Sequence, residues 1–432
     1  MSPLSSTFTS LRHRNFRLFF FGQLVSFIGV WMQNVAQSWL VYELTHSRLL
    51  LGLVYTLGSL PILAFSLYGG TLADRADKRK LLLFTQSSAM VMAWLLGILI
   101  AFDWIRIWHI FVLATLLGLD TAIDTPTRQS FLFEMVGKED LTNAIALNST
   151  IFNASRIIGP AVAGLLISAV GLSSCFFLNG LTYLAILAAL FSMRFEVERV
   201  RPSSKSSILH GLSEVLRYAG AHPPIRSLLL LLAIISIFAL QYVVMMPVFA
   251  KDILGGGPRT LGALMTAIGV GALIGALNLA TYGNRRGRTL LLLLGAILFL
   301  LSLFLFTLST HLYLSLFLLV LVGFFMITFL ATANTLLQIT VSDELRGRIM
   351  GLFVMALLGM VPLGSLQLGF LAQHLGAPWA IRIGTALCML SWLALLPQLR
   401  QIEHMGREGK SILFGGARDD WDLGEEEDLS GR

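Results

Sequence analysis

The sequence predicts an all-α membrane protein, with twelve transmembrane helices in two pseudo-symmetric six-helix bundles. Three observations predict it. Hydrophobic residues make up 56% of the 432 and charged residues only 13%, whereas a soluble domain carries about 25% charge; a soluble fold could not cover so much apolar surface. Apolar stretches long enough, at roughly 20 residues, to cross a bilayer recur along the whole chain. The stretches before and after a polar middle carry matching loops.

The expected spans are 17–42, 49–72, 81–102, 107–131, 143–170, 173–193, 226–250, 260–282, 289–309, 312–338, 347–371 and 379–397. Arg12, Arg14 and Arg17 precede an apolar run too long for a secretory signal, and no small-residue cleavage site follows, so the first span is expected to stay in the membrane. Between spans two and three lies the charged block Gly69 to Lys80. Span seven ends in Lys251-Asp252 and Gly255-Gly256-Gly257-Pro258, a helix stop and turn. This glycine run lacks the Lys-Ser/Thr and the preceding strand of a phosphate loop. If the N-terminus is cytoplasmic, 25 of the 31 Lys and Arg fall on the cytoplasmic side and 5 on the other. Positive charge is retained inside, so both termini are expected in the cytoplasm. Cys175 and Cys388 sit inside apolar runs and read as small packed residues rather than a disulfide.

Four regions follow: a six-helix bundle over 1–193, a cytoplasmic loop over 194–225, a second bundle over 226–399 and a cytoplasmic tail over 400–432. The loop holds Pro202 to Ser207, a flexible linker, then Ile208, Leu212, Val215 and Leu216 at helical spacing, which predicts a short amphipathic helix on the membrane face. The acidic tail, with Asp419, Asp420, Asp422 and Glu425 to Asp428, predicts a solvated, disordered segment. Val136 to Leu141 introduces a span in the first half as Val341 to Arg346 does in the second, and Asn284 to Arg288 occupies the place of the Asp74 to Lys80 loop. Paired loops around six spans and six spans indicate a duplicated bundle.

At these residues the chain resembles the major facilitator superfamily. Gly70, Leu72, Ala73, Asp74, Arg75, Lys78 and Arg79 match that superfamily's loop motif between helices two and three, with Asp77 in place of its second glycine. The second-half copy keeps Arg285, Gly287 and Arg288 and has Asn284 for the aspartate. Arg156 to Gly164 is similar to the Gly-Pro motif of helix five in proton-coupled exporters, carried here by Gly159, Pro160 and Gly164. Trp31 to Tyr42, Asp124 to Arg128 and Glu344 to Gly351 resemble the enterobactin-exporter-like and multidrug-efflux-like subgroup. The resemblance, over about residues 10–400, implies a twelve-helix transporter with the charged loops as a cytoplasmic gate. An Arg in helix four that accompanies proton coupling in that superfamily is replaced by Ala114, so this motif does not carry proton coupling over.

Charges within a span are costly, about 2.5–3.5 kcal/mol on insertion scales, and face a bundle interior or cavity. Asp120, Asp124 and Arg128 share one face of span four at i, i+4 and i+8. Asp120 and Arg156 both fall near mid-depth at about 1.5 Å per residue, so they are expected to pair. One reading makes Asp120 or Asp124 a proton acceptor, since a carboxylate that loses a cationic partner couples protonation to helix packing; the other makes the pair a structural tie. Asp124 is expected to meet Arg75 or Arg79 as part of the gate. Gln33, Gln37, Gln241, Asn334 and Gln338 are amides in apolar surroundings, which need partners or a cavity; they are candidates for a substrate cavity, with Trp31, Trp39, Tyr242, Met245, Phe325 and Phe329 as candidate apolar walls. Pro61, Pro126, Pro160, Pro247 and Pro362 interrupt spans, where a bend suits a bundle that rocks.

The eight His are scattered, so no metal spacing and no cofactor are read. Basic loops act as orientation signals and do not imply nucleic acid. No catalytic constellation appears; the chain reads as a monomeric carrier, not an enzyme, with a small-molecule substrate and membrane lipid as its partners. The expected function is a secondary transporter of a bacterial inner membrane, exporting an amphiphilic siderophore or drug on the proton gradient. A lipid flippase using the same cleft, and a non-transporting receptor or scaffold, are the alternatives.

Overall fold

The computed structural model describes residues 8–194, 217–282 and 287–402. Arg285, the expected amphipathic helix up to residue 216 and the acidic tail from residue 403 lie outside the described residues. After a short 3-10 turn at Thr9–Arg12, the first half contains α1 (Arg14–Thr45), α2 (Arg48–Arg75), α3 (Lys78–Ala101), α4 (107–136), α5 (138–169) and α6 (Ser173–Ser192). The second half contains α7 (Pro223–Ile253), α8 (Pro258–Tyr282), α9 (Arg288–Phe306), α10 (Leu312–Thr340), α11 in two pieces (Asp343–Leu357 and Val361–Leu375) and α12 (Ala377–Leu399). The chain is a multi-pass membrane protein with an all-α fold.

Two joints differ from the sequence expectation. The loop expected between spans four and five collapses to one non-helical residue, Gly137, at φ 71° and ψ −176°. That backbone is open to glycine and strained for other residues, and it lets α5 run back antiparallel to α4 with almost no loop. Second, α7 is broken. An α-helix ends at Phe238, a 3-10 segment spans Leu240–Met245, and a π turn covers Phe249–Ile253. Such departures from the i→i+4 ladder are tolerated in a membrane where protein covers them; Gln241, Tyr242 and Met245 are all buried.

The pairing of helices shows the pseudo-symmetry. α1 packs on α6 through a hydrogen bond from Asn179 to Gln33 (2.6 Å), and α7 packs on α12, where Cys388 Sγ meets the Ile234 carbonyl. α3 meets α6 through Trp94 Nε1, which donates to the Phe177 carbonyl (3.3 Å); α9 meets α12 as Arg382 donates to the C-cap residue Thr307 (2.7 Å to its carbonyl). α2 lies on α4 where Gly69 faces the Ala122 carbonyl, and α8 lies on α10 where Gly323 faces the Ile268 carbonyl; a Cβ at either glycine would fall about 2.1 Å from that oxygen. Each contact therefore recurs six helices later. Between bundles, α2 packs on α11 and α5 on α8. Cys175 and Cys388 are both buried and unbonded.

Candidate functional site

Call the end of the bundle that carries the chain termini and the 76–77 turn the terminal end, and the other the far end. Between the bundles lies a cavity of about 390 Å³. α1 contributes Trp31, Asn34, Gln37 and Ser38; α2 contributes Tyr55 and Ser59; α4 contributes Gly118 and Thr121. From the second bundle come Val243, Met265 and Val361. The polar groups that can orient a ligand come from the first bundle, and the facing wall is apolar, which suits a molecule with one polar side and one greasy side.

Of the five amides expected in the cavity, Gln37 lines it. Gln33 does not: it is buried and accepts from Asn179 of α6. At 100° per residue Trp31, Asn34, Gln37, Ser38 and Val41 fan over one face of α1, and Gln33 falls just beyond its edge. Gln241 sits in the break of α7, where it donates to the Ser236 carbonyl (3.3 Å) and accepts from Ser365 (3.2 Å); it satisfies backbone that the break leaves unpaired. Asn334 and Gln338 bond each other at the terminal end of α10 (2.5 Å), away from the cavity lining. Trp31 is the expected aromatic that lines the cavity; Tyr242, Met245 and Phe329 are core residues, and Trp39 is buried with Lys251 above its ring.

The cavity is shut at the far end by contacts the sequence reading did not assemble. Asp252, in the π turn of α7, accepts a short hydrogen bond from the Tyr42 hydroxyl of α1 and pairs with Arg48 of α2 at 3.6 Å. Gln373 of α11 caps α2: its Oε1 accepts from the backbone N–H of Arg48 (2.9 Å) and Leu49 (3.3 Å), two of the donors that a helix N-terminus leaves unpaired. Beneath, Thr56 donates to the Pro362 carbonyl (3.1 Å), and a Cβ on Gly52 would meet the Ser365 carbonyl at 2.4 Å. On the other flank Gly164 of α5 fits against Gly262 of α8, and Thr266 donates to the Ile157 carbonyl (3.3 Å). The helix-five motif thus divides its contacts: Gly159 lies on Trp31 within its own bundle, while Pro160 and Gly164 face α8 across the interface. The one sequence signal for this cluster was Asp252, an acid among the sparsely charged far-end loops.

Toward the terminal end α2 is uncovered. Leu51 and Val54 are buried, whereas Leu63, Phe65, Leu67 and Tyr68 are exposed. The charged block sits there. Lys78, buried, pairs with Glu134 of α4 (2.5 Å), and Arg79 donates to the Phe191 carbonyl of α6 (3.0 Å). Asp77, the departure from the motif, is the N-cap of α3 and accepts from Lys80 N–H (3.1 Å), a role aspartate fills well. Asp74 and Arg75 are exposed and have no ion-pair partner among the described residues. Gly70 is open, while its neighbour Gly69 makes the tight contact with α4. Arg288 begins α9.

The two expected charge pairings do not form. Asp124 is buried, and its partner is Arg128 on its own helix. Thr85 (2.9 Å) and Gln86 (2.7 Å) of α3 donate to its Oδ1. Neither Arg75 nor Arg79 bonds it in this structure: Arg79 is engaged with the Phe191 carbonyl and Arg75 is exposed. Asp120 faces α3, in a groove of about 480 Å³ with Ser87, Ser88 and Phe84. Arg156 faces the second bundle, where its electrostatic neighbour is Tyr242 of α7. The depths match as expected, but α4 and α5 turn these side chains away from each other.

A second cluster missed from sequence ties the N-terminal turn to the α4–α5 joint. Asp140 meets His13 Nε2 (2.7 Å) and Arg12 (2.8 Å), and Ser10 donates to the Asp140 carbonyl (2.9 Å). The bond with His13, and then the Arg12 guanidinium, hold the Asp140 carboxyl below the usual carboxylate range. Among the described residues no three potential metal ligands come together.

Comparison with known proteins places this architecture. Residues 5–412 match the family model described as transmembrane secretion effector. The staphyloferrin A transporter of Staphylococcus aureus is 28% identical over 83% of this chain and 90% of its own length. The multidrug efflux pump Tap of Mycolicibacterium fortuitum is 25% identical over 89% of this chain and 96% of its own. Among solved structures, a bacterial homologue of the human lysosomal transporter Spinster, inward-facing and unoccupied, superposes with a TM-score of 0.67 at 15% identity, over 91% of this chain and 97% of that one. With the loop motif, the helix-five motif and the six-plus-six pairing, these likenesses place the chain in the transmembrane secretion effector family of the major facilitator superfamily, in its efflux-like subgroup.

Proposed function

We propose that the chain is a secondary active transporter that works by alternating access and exports an amphiphilic small molecule, a siderophore or a drug. The observation that carries this reading is a cavity between the bundles, closed at one end by bonds that link α1 and α2 to α7 and α11. Breaking those contacts while forming others at the terminal end would expose the same cavity to the opposite side, as rocking bundles do. The skew of Lys and Arg supports a cytoplasmic terminal end, and with it a closed end that faces out. The cell inner membrane and a monomeric carrier follow from the same reading.

The proton gradient is the drive, since the sequence carries no nucleotide-binding motif. The two carboxylates of α4 then divide the work. Both oxygens of Asp124 have partners, which supports a role as a charged tie between α3 and α4. Asp120 lies in its groove with a serine hydroxyl from α3 and is the mid-depth carboxylate left to exchange a proton. The test is purified protein in sealed vesicles under an imposed pH gradient, with staphyloferrin A and ethidium as probes. Gradient-dependent movement of either supports the reading. If neither moves and a labelled phospholipid crosses the bilayer instead, the carrier is a flippase.

A further inference from the structure

Arg156 is the feature that the closed architecture leaves unexplained. It lies near mid-depth on α5, and no carboxylate among the described residues comes within ion-pair distance of it. The other cations inside the bundles are accounted for: Arg128 has Asp124, Lys78 has Glu134, and Lys251 covers the Trp39 ring. Arg156 Nε and Nη2 are closed off from solvent and have no hydrogen-bond partner among the described residues. Beside it the Tyr242 hydroxyl is likewise buried and unpartnered. Three guanidinium N–H donors, one on Nε and two on Nη2, and one phenol therefore lie beside each other with no acceptor among the described residues. The spot adjoins the cavity: Val243, next to Tyr242, lines it, as does Trp31, on which the next turn of α5 rests at Gly159.

An unpaired guanidinium at this depth opposes insertion and folding, and buried donors without acceptors add to that cost. A bound oxyanion would relieve both, because a carboxylate accepts two parallel N–H bonds from the guanidinium fork and one more from a phenol. We infer that Arg156 and Tyr242 form an oxyanion subsite, and that the transported molecule carries a carboxylate which docks there while its apolar part lies along the Val243, Met265 and Val361 wall. This rests on the transport reading and narrows it to acidic amphiphiles.

The test uses the purified full chain in detergent and two fluorescent probes of equal size, dansylglycine, which has a carboxylate, and dansylglycinamide, which is neutral. The wild type should bind dansylglycine at least about 10-fold more tightly, the scale of one charge-assisted hydrogen-bonded pair. Arg156→Gln should erase that preference while dansylglycinamide binding changes less than about 2-fold. Arg156→Lys keeps the charge and loses the fork, so the preference should shrink by about 3-fold or more; this variant decides the matter if Arg156→Gln does not fold. No preference in the wild type, or a preference unchanged in a folded Arg156 variant, overturns the subsite. Vesicles that transport ethidium with no preference for acids would overturn the subsite and leave the transport reading intact.

Discussion

Replacing Asp252 with alanine should open the far end. The carboxylate holds two links from the second bundle to the first: the Tyr42 hydroxyl and the Arg48 guanidinium. A hydrogen bond to a charged group contributes about 1.5–3 kcal/mol, and Tyr42 is buried, so its hydroxyl would be left without a partner. The Arg48 pair is looser, at 3.6 Å with both side chains about a third exposed, and adds less than about 1 kcal/mol. A loss of about 2–3 kcal/mol moves the closed-to-open ratio by roughly 30- to 150-fold. The assay is labelling of Val54→Cys, a cavity residue just beneath the closure, with an impermeant maleimide applied from the far side. The native Cys175 and Cys388 are buried and give low background. Labelling should accelerate by at least about 10-fold in Asp252→Ala, allowing for partial compensation by the Gln373 cap. A rate within about 2-fold of the parent would refute the assignment of this cluster as the closure.

Four further outcomes follow. Gly52→Leu places a side chain where the Ser365 carbonyl and Gly369 now sit; the same labelling assay should show the far end held open, and transport should stop. Asp124→Ala leaves the Arg128 charge buried without its partner, at a cost of about 3–5 kcal/mol; the melting temperature in detergent should fall, and an unchanged value would contradict the tie between α3 and α4. Asp120→Asn should keep probe binding and lose the dependence of transport on a pH gradient; normal gradient-driven movement would exclude Asp120 as the proton site. Asp140 is held below its unfolded value, so its contribution is present above about pH 4 and lost as pH falls through the lower folded value. Protection of the amides of residues 8–13 against hydrogen exchange, corrected for the intrinsic rate at each pH, should fall at pH 3, and at pH 7 in Asp140→Asn.

How much was legible in the sequence varies with the distance over which a signal acts. The spans could be read because crossing a bilayer needs a local run of apolar residues. The cap at Asp77 and the joint at Gly137 are local too, but they appear in sequence only as a motif departure and a loop, since cap and turn chemistry depend on φ and ψ. Asp120 and Arg156 show the limit. Their depths follow from counting residues along two helices. Whether they meet depends on the rotation of each helix about its axis, which α3, α7 and α8 set by packing.

The sequence by itself determined that this chain spans a membrane many times, that its halves repeat, and which family it resembles, because hydropathy, charge and short motifs are written in consecutive residues. Only the tertiary structure decided that Gln37 and not Gln33 faces the cavity, that Asp252 joins Tyr42, Arg48 and the Gln373 cap at the far end, and that Arg156 stands beside Tyr242 without a counter-charge among the described residues. Those contacts join residues as many as 325 positions apart. Their partners are chosen by helix azimuth and by the close approach that small residues such as Gly52, Gly164 and Gly262 permit, and neither can be read along a single helix.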